Sequence, residues 1–138
     1  MLRTLFMVER LGPQVRYMSE VQQYLEMSEQ AFADTGVEGL SDRAYWNSLY
    51  YSSFYAAKAA LLSLGFEPKT HSGTDSLVGK ILYKDEEIIS REEAKLFSQL
   101  KTIREEQDYN PKAKTDFDKR DMRQQASRLI QKFKQVTE

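Results

Sequence analysis

The stretch "WNSLYYSSFYAAKAALLSLG", residues 46–65, carries a single charged side chain, Lys58. Its other positions are aromatic, aliphatic or small: Ser48, Ser52, Ser53, Ala56, Ala57, Ala59 and Ala60 are interleaved with Leu, Tyr and Phe. A helix that is apolar nearly all round is a central one, surrounded by protein. Its small residues let neighbouring helices approach closely. Upstream, Ser41 is the expected N-cap, with Asp42 beside the positive end of the helix dipole. Downstream, Gly65 closes the helix and Pro68 prevents its continuation. Residues 41–65 therefore read as the spine of a helical bundle.

Working outward, Val15, Met18, Val21, Leu25, Ser28 and Phe32 recur at steps of three and four, which predicts an amphipathic helix over about 14–34. Gly36 and Gly39 end it, and residues 1–13 are left as an N-terminal extension. After the spine, Leu77, Val78, Ile81 and Leu82 predict a short helix over about 75–82. "SREE", residues 90–93, is a capping-box pattern that starts a helix carrying Ala94, Phe97, Leu100 and Ile103. That helix ends before Pro111, because the residue preceding proline avoids the helical region. A last helix, about 115–136, aligns Met122, Ala126, Leu129, Phe133 and Val136 and sets its basic residues mostly opposite. No strand pattern, internal repeat or linker is visible. The expected architecture is all-α, one domain over 1–138, an up-and-down bundle of four main helices plus a short one.

Composition narrows the chemistry. The 138 residues contain no cysteine and one histidine, His71, which excludes disulfides and thiolate metal sites. No apolar run approaches the ~20 residues of a membrane span. "MLRTLFMVER" lacks the long apolar core and small-residue cleavage site of a signal peptide, so the expected location is the cytoplasm. The net charge is −1, unevenly placed: residues 112–138 carry eight basic and four acidic side chains, a local +4 against −5 elsewhere. Such a segment either meets nucleic acid or an acidic partner, or is a solvated helix face. There is no Gly-rich phosphate loop, no G-x-S-x-G elbow and no paired Glu-x-x-His motif. Neither a metal nor a cofactor is expected.

Three groups of residues remain as candidates. On a helix, Arg104 and Asp108 fall close to the Phe97 direction, so a guanidinium and a carboxylate share a partly inward face. They form either a local salt bridge or, with other polar groups converging, an anchor for phosphate. Tyr45, Trp46, Tyr50, Tyr51, Phe54 and Tyr55 are core packing or a base-stacking platform. His71, in "GFEPKTHSG" (65–73), is a catalytic group, a ligand or a residue that ties down a turn.

Two blocks, "YYSSFYAAKAALLSLGFEPKTHSG" (50–73) and "IREEQDY" (103–109), followed by the terminal helix, resemble the HEPN (higher eukaryotes and prokaryotes nucleotide-binding) superfamily. The likeness is to its small stand-alone prokaryotic branch. The resemblance covers nearly the whole chain from about residue 15. It implies an all-α bundle, commonly dimeric. It also implies a partner, a minimal nucleotidyltransferase, in a toxin–antitoxin or nucleotide-linked module. Many members are metal-independent ribonucleases marked by an Arg followed, four to six residues on, by a His. Here Arg104 fits the Arg position, but Tyr109 stands at the His position, preceded by Asp108. Tyrosine, with a reference pKa near 10, is a poor general base at neutral pH. The branch often has an Arg before its Tyr-Tyr pair, where this chain has Ser48.

By this resemblance the catalytic candidates are Arg104, His71, Asp108 and Tyr109. The candidates for binding RNA or a nucleotide are Arg104, Lys69, Tyr51, Arg120 and Arg123. His71 either replaces the missing imidazole as base for a 2′-hydroxyl or hydrogen-bonds backbone to fix its loop. The expected geometry gathers His71, Arg104, Asp108 and Tyr109 at one end of the bundle. The functional readings are a HEPN component that binds RNA or nucleotide and cleaves RNA, a module that binds without cleaving, or a structural dimer.

Overall fold

A computed structural model describes the backbone of residues 11–138 and side chains from Met18 onward. The chain forms α1 (Leu11–Asp34), α2 (Asp42–Ser63) and α3 (His71–Leu77), which runs into a π-helical segment (Val78–Asp85). Then follow α4 (Arg91–Tyr109) and α5 (Lys119–Val136). There is no strand among the described residues. The stretch read as an extension, 1–13, is already helical at Leu11, and residues 1–10 lie outside the described residues.

The spine is α2. It touches α1, α4, α5 and the α3–π unit, and Trp46, Leu49, Tyr50, Phe54, Ala56, Ala57, Ala60 and Leu61 are buried. Ser41 caps it, its hydroxyl accepting from the Ala44 amide at 3.2 Å. At the other end Gly65 takes φ +90°. The Phe66 amide donates to the Leu61 carbonyl at 2.8 Å and the Gly65 amide to Leu62 at 2.9 Å. This paired 6→1 and 5→2 closure is why a glycine stands there. Small residues bring α1 close: the buried Ser28 hydroxyl donates to the Ser52 carbonyl at 2.6 Å.

The expected stripe on α1 holds in part. Leu25 and Ser28 are buried, Phe32 packs on the core, and Met18 is 63% exposed. The side chain of Val15 lies outside the described residues. Cross-helix pairs fix the up-and-down order. Asp42 meets Lys119 and Arg43 meets Asp108, which puts the start of α2 with the end of α4 and the start of α5. Glu93 meets Lys132 at the opposite end.

Two element boundaries differ from expectation. The short helix starts at His71, not near 75, because Thr70 caps it: its Oγ1 accepts from the Gly73 amide at 2.9 Å. It then widens, with Glu86 N–H reaching the Ile81 carbonyl five residues back. That wide turn aims Val78, Ile81 and Leu82 into the core. The last helix starts at Lys119 rather than near 115, where the Asp118 side chain accepts from the Asp121 amide at 2.8 Å. Of the predicted stripe, Met122, Ala126, Leu129 and Phe133 are buried, and Val136 is partly buried against the core.

Candidate functional site

Arg104 sits three-quarters of the way along α4, where its side chain is 18% exposed. The guanidinium lies over two aromatic faces of α2, 5.1 Å from the Tyr50 ring centroid and 5.5 Å from that of Tyr51. Stacking of this kind holds a planar cation flat and leaves its edges for hydrogen bonding. One NH2 group donates to Asp108 Oδ2 at 3.0 Å. The Nε is buried and has no hydrogen-bond partner among the described residues. A buried donor without a partner costs free energy.

The other oxygen of Asp108 is taken by a residue that sequence reasoning passed over. Arg43, in the first turn of α2, donates from Nε to Asp108 Oδ1 at 3.1 Å. A concavity of about 370 Å³ opens there, lined by Ser41, Arg43, Ala44, Asn47 and Asp108. The positions differ by 65 residues along the chain, so only the fold reveals the pair.

His71 occupies the first turn of α3 rather than a loop. Its ring lies 4.5 Å from the Phe54 centroid and 5.7 Å from that of Tyr51. No backbone hydrogen bond from its side chain fixes the turn among the described residues; Thr70 does that instead, capping Gly73 and accepting from the Thr74 hydroxyl. His71 and Arg104 therefore meet the same tyrosine, Tyr51, at the middle of α2 and not at the end of the bundle. Tyr109, expected beside them, is 94% exposed and makes no contact with the cluster. It is the last residue of α4.

Behind the aromatic pair lies a part-buried polar contact. The Tyr50 hydroxyl reaches Asp75 Oδ1 at 3.5 Å, and Asp75 is ion-paired with Lys101 at 2.6 Å. Burial first, then the neighbouring Asp75 carboxylate, push the Tyr50 phenol well above its usual range, while Arg104 pulls the other way. The hydrogen bond to Asp75 likewise raises Lys101. Tyr50 thus stays neutral and serves as a fixed surface under Arg104.

The remaining binding candidates stand apart. Lys69 is exposed and within 3.6 Å of Glu67. Arg120 is exposed on α5. Arg123 faces α1: its Nε donates to Thr35 Oγ1 at 2.7 Å, and its guanidinium lies 4.1 Å over the Phe32 ring. It borders a different, mostly apolar groove of about 410 Å³ between α1 and α5. That groove is roomier than the one at Asp108 but holds none of the Arg104 constellation. Among the described residues no three His, Cys, Asp or Glu side chains gather as metal ligands. None of the described helices is long and apolar enough to cross a membrane.

Comparison with known proteins adds the context for this cluster. A family model described as HEPN domain matches residues 16–138. A UPF0332 protein of Archaeoglobus fulgidus is 34% identical over 95 residues, covering 67% of this chain and 74% of the relative. A second UPF0332 protein, from Gloeobacter violaceus, is 46% identical over 57 residues, 41% of this chain and 44% of that protein.

Proposed function

The chain belongs to the HEPN domain family, a membership that points to nucleotide- or RNA-related work, and from that premise we propose that it binds single-stranded RNA or a nucleotide at the Arg104 cluster. Arg104 is the phosphate anchor, and the rings of Tyr51 and His71 form the adjoining shelf for a base. The observation that carries this reading is the Arg104 guanidinium itself, stacked on Tyr50 and Tyr51 with a buried Nε that has no partner among the described residues. The outer N–H groups of that guanidinium not given to Asp108 can make charge-assisted bonds to phosphate, and aromatic faces accept any base without sequence preference. In the cell this is one component of a toxin–antitoxin or nucleotide-linked module, acting as a homodimer beside a minimal nucleotidyltransferase.

A second reading, RNA cleavage without metal, is favoured by one observation: His71 and Arg104 approach the same ring, Tyr51. An imidazole near a phosphate anchor is suited to take the proton of a 2′-hydroxyl. Tyr109, 94% exposed, is given no part in that step.

The test is anisotropy of a fluorescein-labelled hexauridylate with the wild-type protein and Arg104→Ala. Loss of one charge-assisted anchor weakens binding by about tenfold or more; unchanged affinity overturns the reading. Incubation of a mixed RNA in EDTA with wild type and His71→Ala then decides on cleavage. Turnover that disappears in His71→Ala while binding remains supports the second reading, and intact RNA in every lane removes it.

A further inference from the structure

We propose that Asp108 is an internal stand-in for phosphate, and that Arg43 and Arg104 form a two-guanidinium clamp for a terminal phosphate monoester on RNA. The proposal rests on Arg104 being the phosphate anchor and adds the group it selects. Each Asp108 oxygen accepts from a different guanidinium, Arg43 Nε at 3.1 Å and Arg104 at 3.0 Å. The carboxylate thus bridges α2 and α4 as an oxyanion would. Two cations face one negative charge, leaving one positive charge unmatched within the triad. A terminal phosphate carries about −1.5 to −2 at neutral pH and three acceptor oxygens. It matches the pair better than a carboxylate, and better than an internal phosphodiester with its single charge.

Unused donors border the same space. Arg43 makes no further hydrogen bond among the described residues, and neither does the Asn47 side chain, one turn along α2 and lining the same concavity. The Arg104 Nε is a further donor without a partner among the described residues, but it is buried and does not line this concavity. The bridge is also exchangeable, because the Arg43 side chain is 56% exposed and exposed ion pairs hold weakly. Asp108 lies in the last turn of α4, before Asn110 leaves the helix, where a side chain has room to turn toward solvent. In the unliganded protein it occupies the clamp; a phosphate end displaces it.

Unlabelled hexauridylates bearing a 5′-phosphate, a 3′-phosphate or neither are made to compete against the fluorescein-labelled hexauridylate. The proteins are wild type, Asp108→Asn, Arg43→Ala, Arg104→Ala and the Asp108→Asn/Arg43→Ala double variant. Arg43→Gln replaces Arg43→Ala if thermal melting shows the latter unfolded. Wild type is expected to prefer one phosphorylated end by roughly threefold to tenfold, and Asp108→Asn to widen that preference by a similar factor. Removing Arg43 abolishes both the preference and the gain. Equal tightening of all three competitors by Asp108→Asn would mean general charge repulsion and overturns the clamp, as does the absence of any end preference. If Arg104→Ala leaves unphosphorylated binding intact, the anchor reading itself has failed. If binding depends on Arg104 but ignores the ends, only the clamp has failed.

Discussion

At the scale of single residues, Tyr50 shows how the site is kept rigid. Its ring carries the Arg104 guanidinium, and its hydroxyl points inward to Asp75. The folded phenol titrates above its usual value of 10.0, chiefly because of burial. The linkage has a definite sign: stability is full below about pH 10 and is lost as pH rises from there toward the raised folded value, since the unfolded phenol ionises first. Tyr50→Phe removes that loss, so the alkaline limb of a stability–pH curve should become shallower in urea titrations between about pH 9 and 11. The hydroxyl bond it gives up is long at 3.5 Å, so the neutral-pH cost should stay within about 1 kcal/mol. An equally steep alkaline limb in Tyr50→Phe would mean that the other burial-raised tyrosines, Tyr45 and Tyr55, dominate. Arg104 with Asp108 was legible in the sequence as an i, i+4 pair on an inward face. Arg43 was not, because no local pattern joins the first turn of one helix to the last turn of another.

At the scale of elements, capping chemistry decides where helices start, and its visibility varied. Ser90 and Glu93 form the reciprocal box that "SREE" announces, with Glu93 N–H to Ser90 Oγ at 3.1 Å and Ser90 N–H to Glu93 Oε1 at 2.8 Å. Burial works to raise the Glu93 carboxyl and is the largest single influence. The bonds from Lys132 and from Ser90 together outweigh it, so the carboxyl titrates below its usual range. Its contribution is present at neutral pH and is lost as pH falls through that lowered value. Thr70 was passed over because the preceding Pro68 and Lys69 read as loop, yet it starts the helix that presents His71. Gly73 exists for that cap: a Cβ there would lie 2.9 Å from Thr70 Oγ1. Gly73→Ala should therefore cost stability by about 1 kcal/mol through the lost cap, although alanine is the better helix former. A melting temperature equal to or above wild type would show that the cap is dispensable. The π turns of 78–85 had no signal at all, since apolar spacing alone does not separate one helical width from another.

At the scale of the whole molecule, the uneven charge has a structural destination. The basic C-terminal segment faces an acidic remainder, and three pairs join α5 to earlier helices: Lys119–Asp42, Lys132–Glu93 and Lys134–Glu29. Arg123 adds a fourth tie, to Thr35 and the face of Phe32. Much of what reads in sequence as a basic face for RNA therefore clamps the bundle, and Arg120 and Arg128 are left exposed on α5. This separates two roles by experiment. Arg123→Glu places a carboxylate against an aromatic face and removes the donor to Thr35, so it should lower stability by about 1–3 kcal/mol. Its effect on RNA affinity should be small once the protein is folded. Arg120→Glu should leave the melting temperature nearly unchanged and, if that face meets RNA, reduce the slope of log affinity against log salt by ~1. The reverse assignment, with Arg123 altering the salt slope and Arg120 the melting curve, would place the phosphate contacts in the groove between α1 and α5. Because exposed pairs contribute only ~0.2–1 kcal/mol each and are screened, half-molar salt should destabilise the protein by no more than a few degrees. A much larger fall would require the inter-helix pairs to act as a cooperative network, which their separation along the length of α5 argues against.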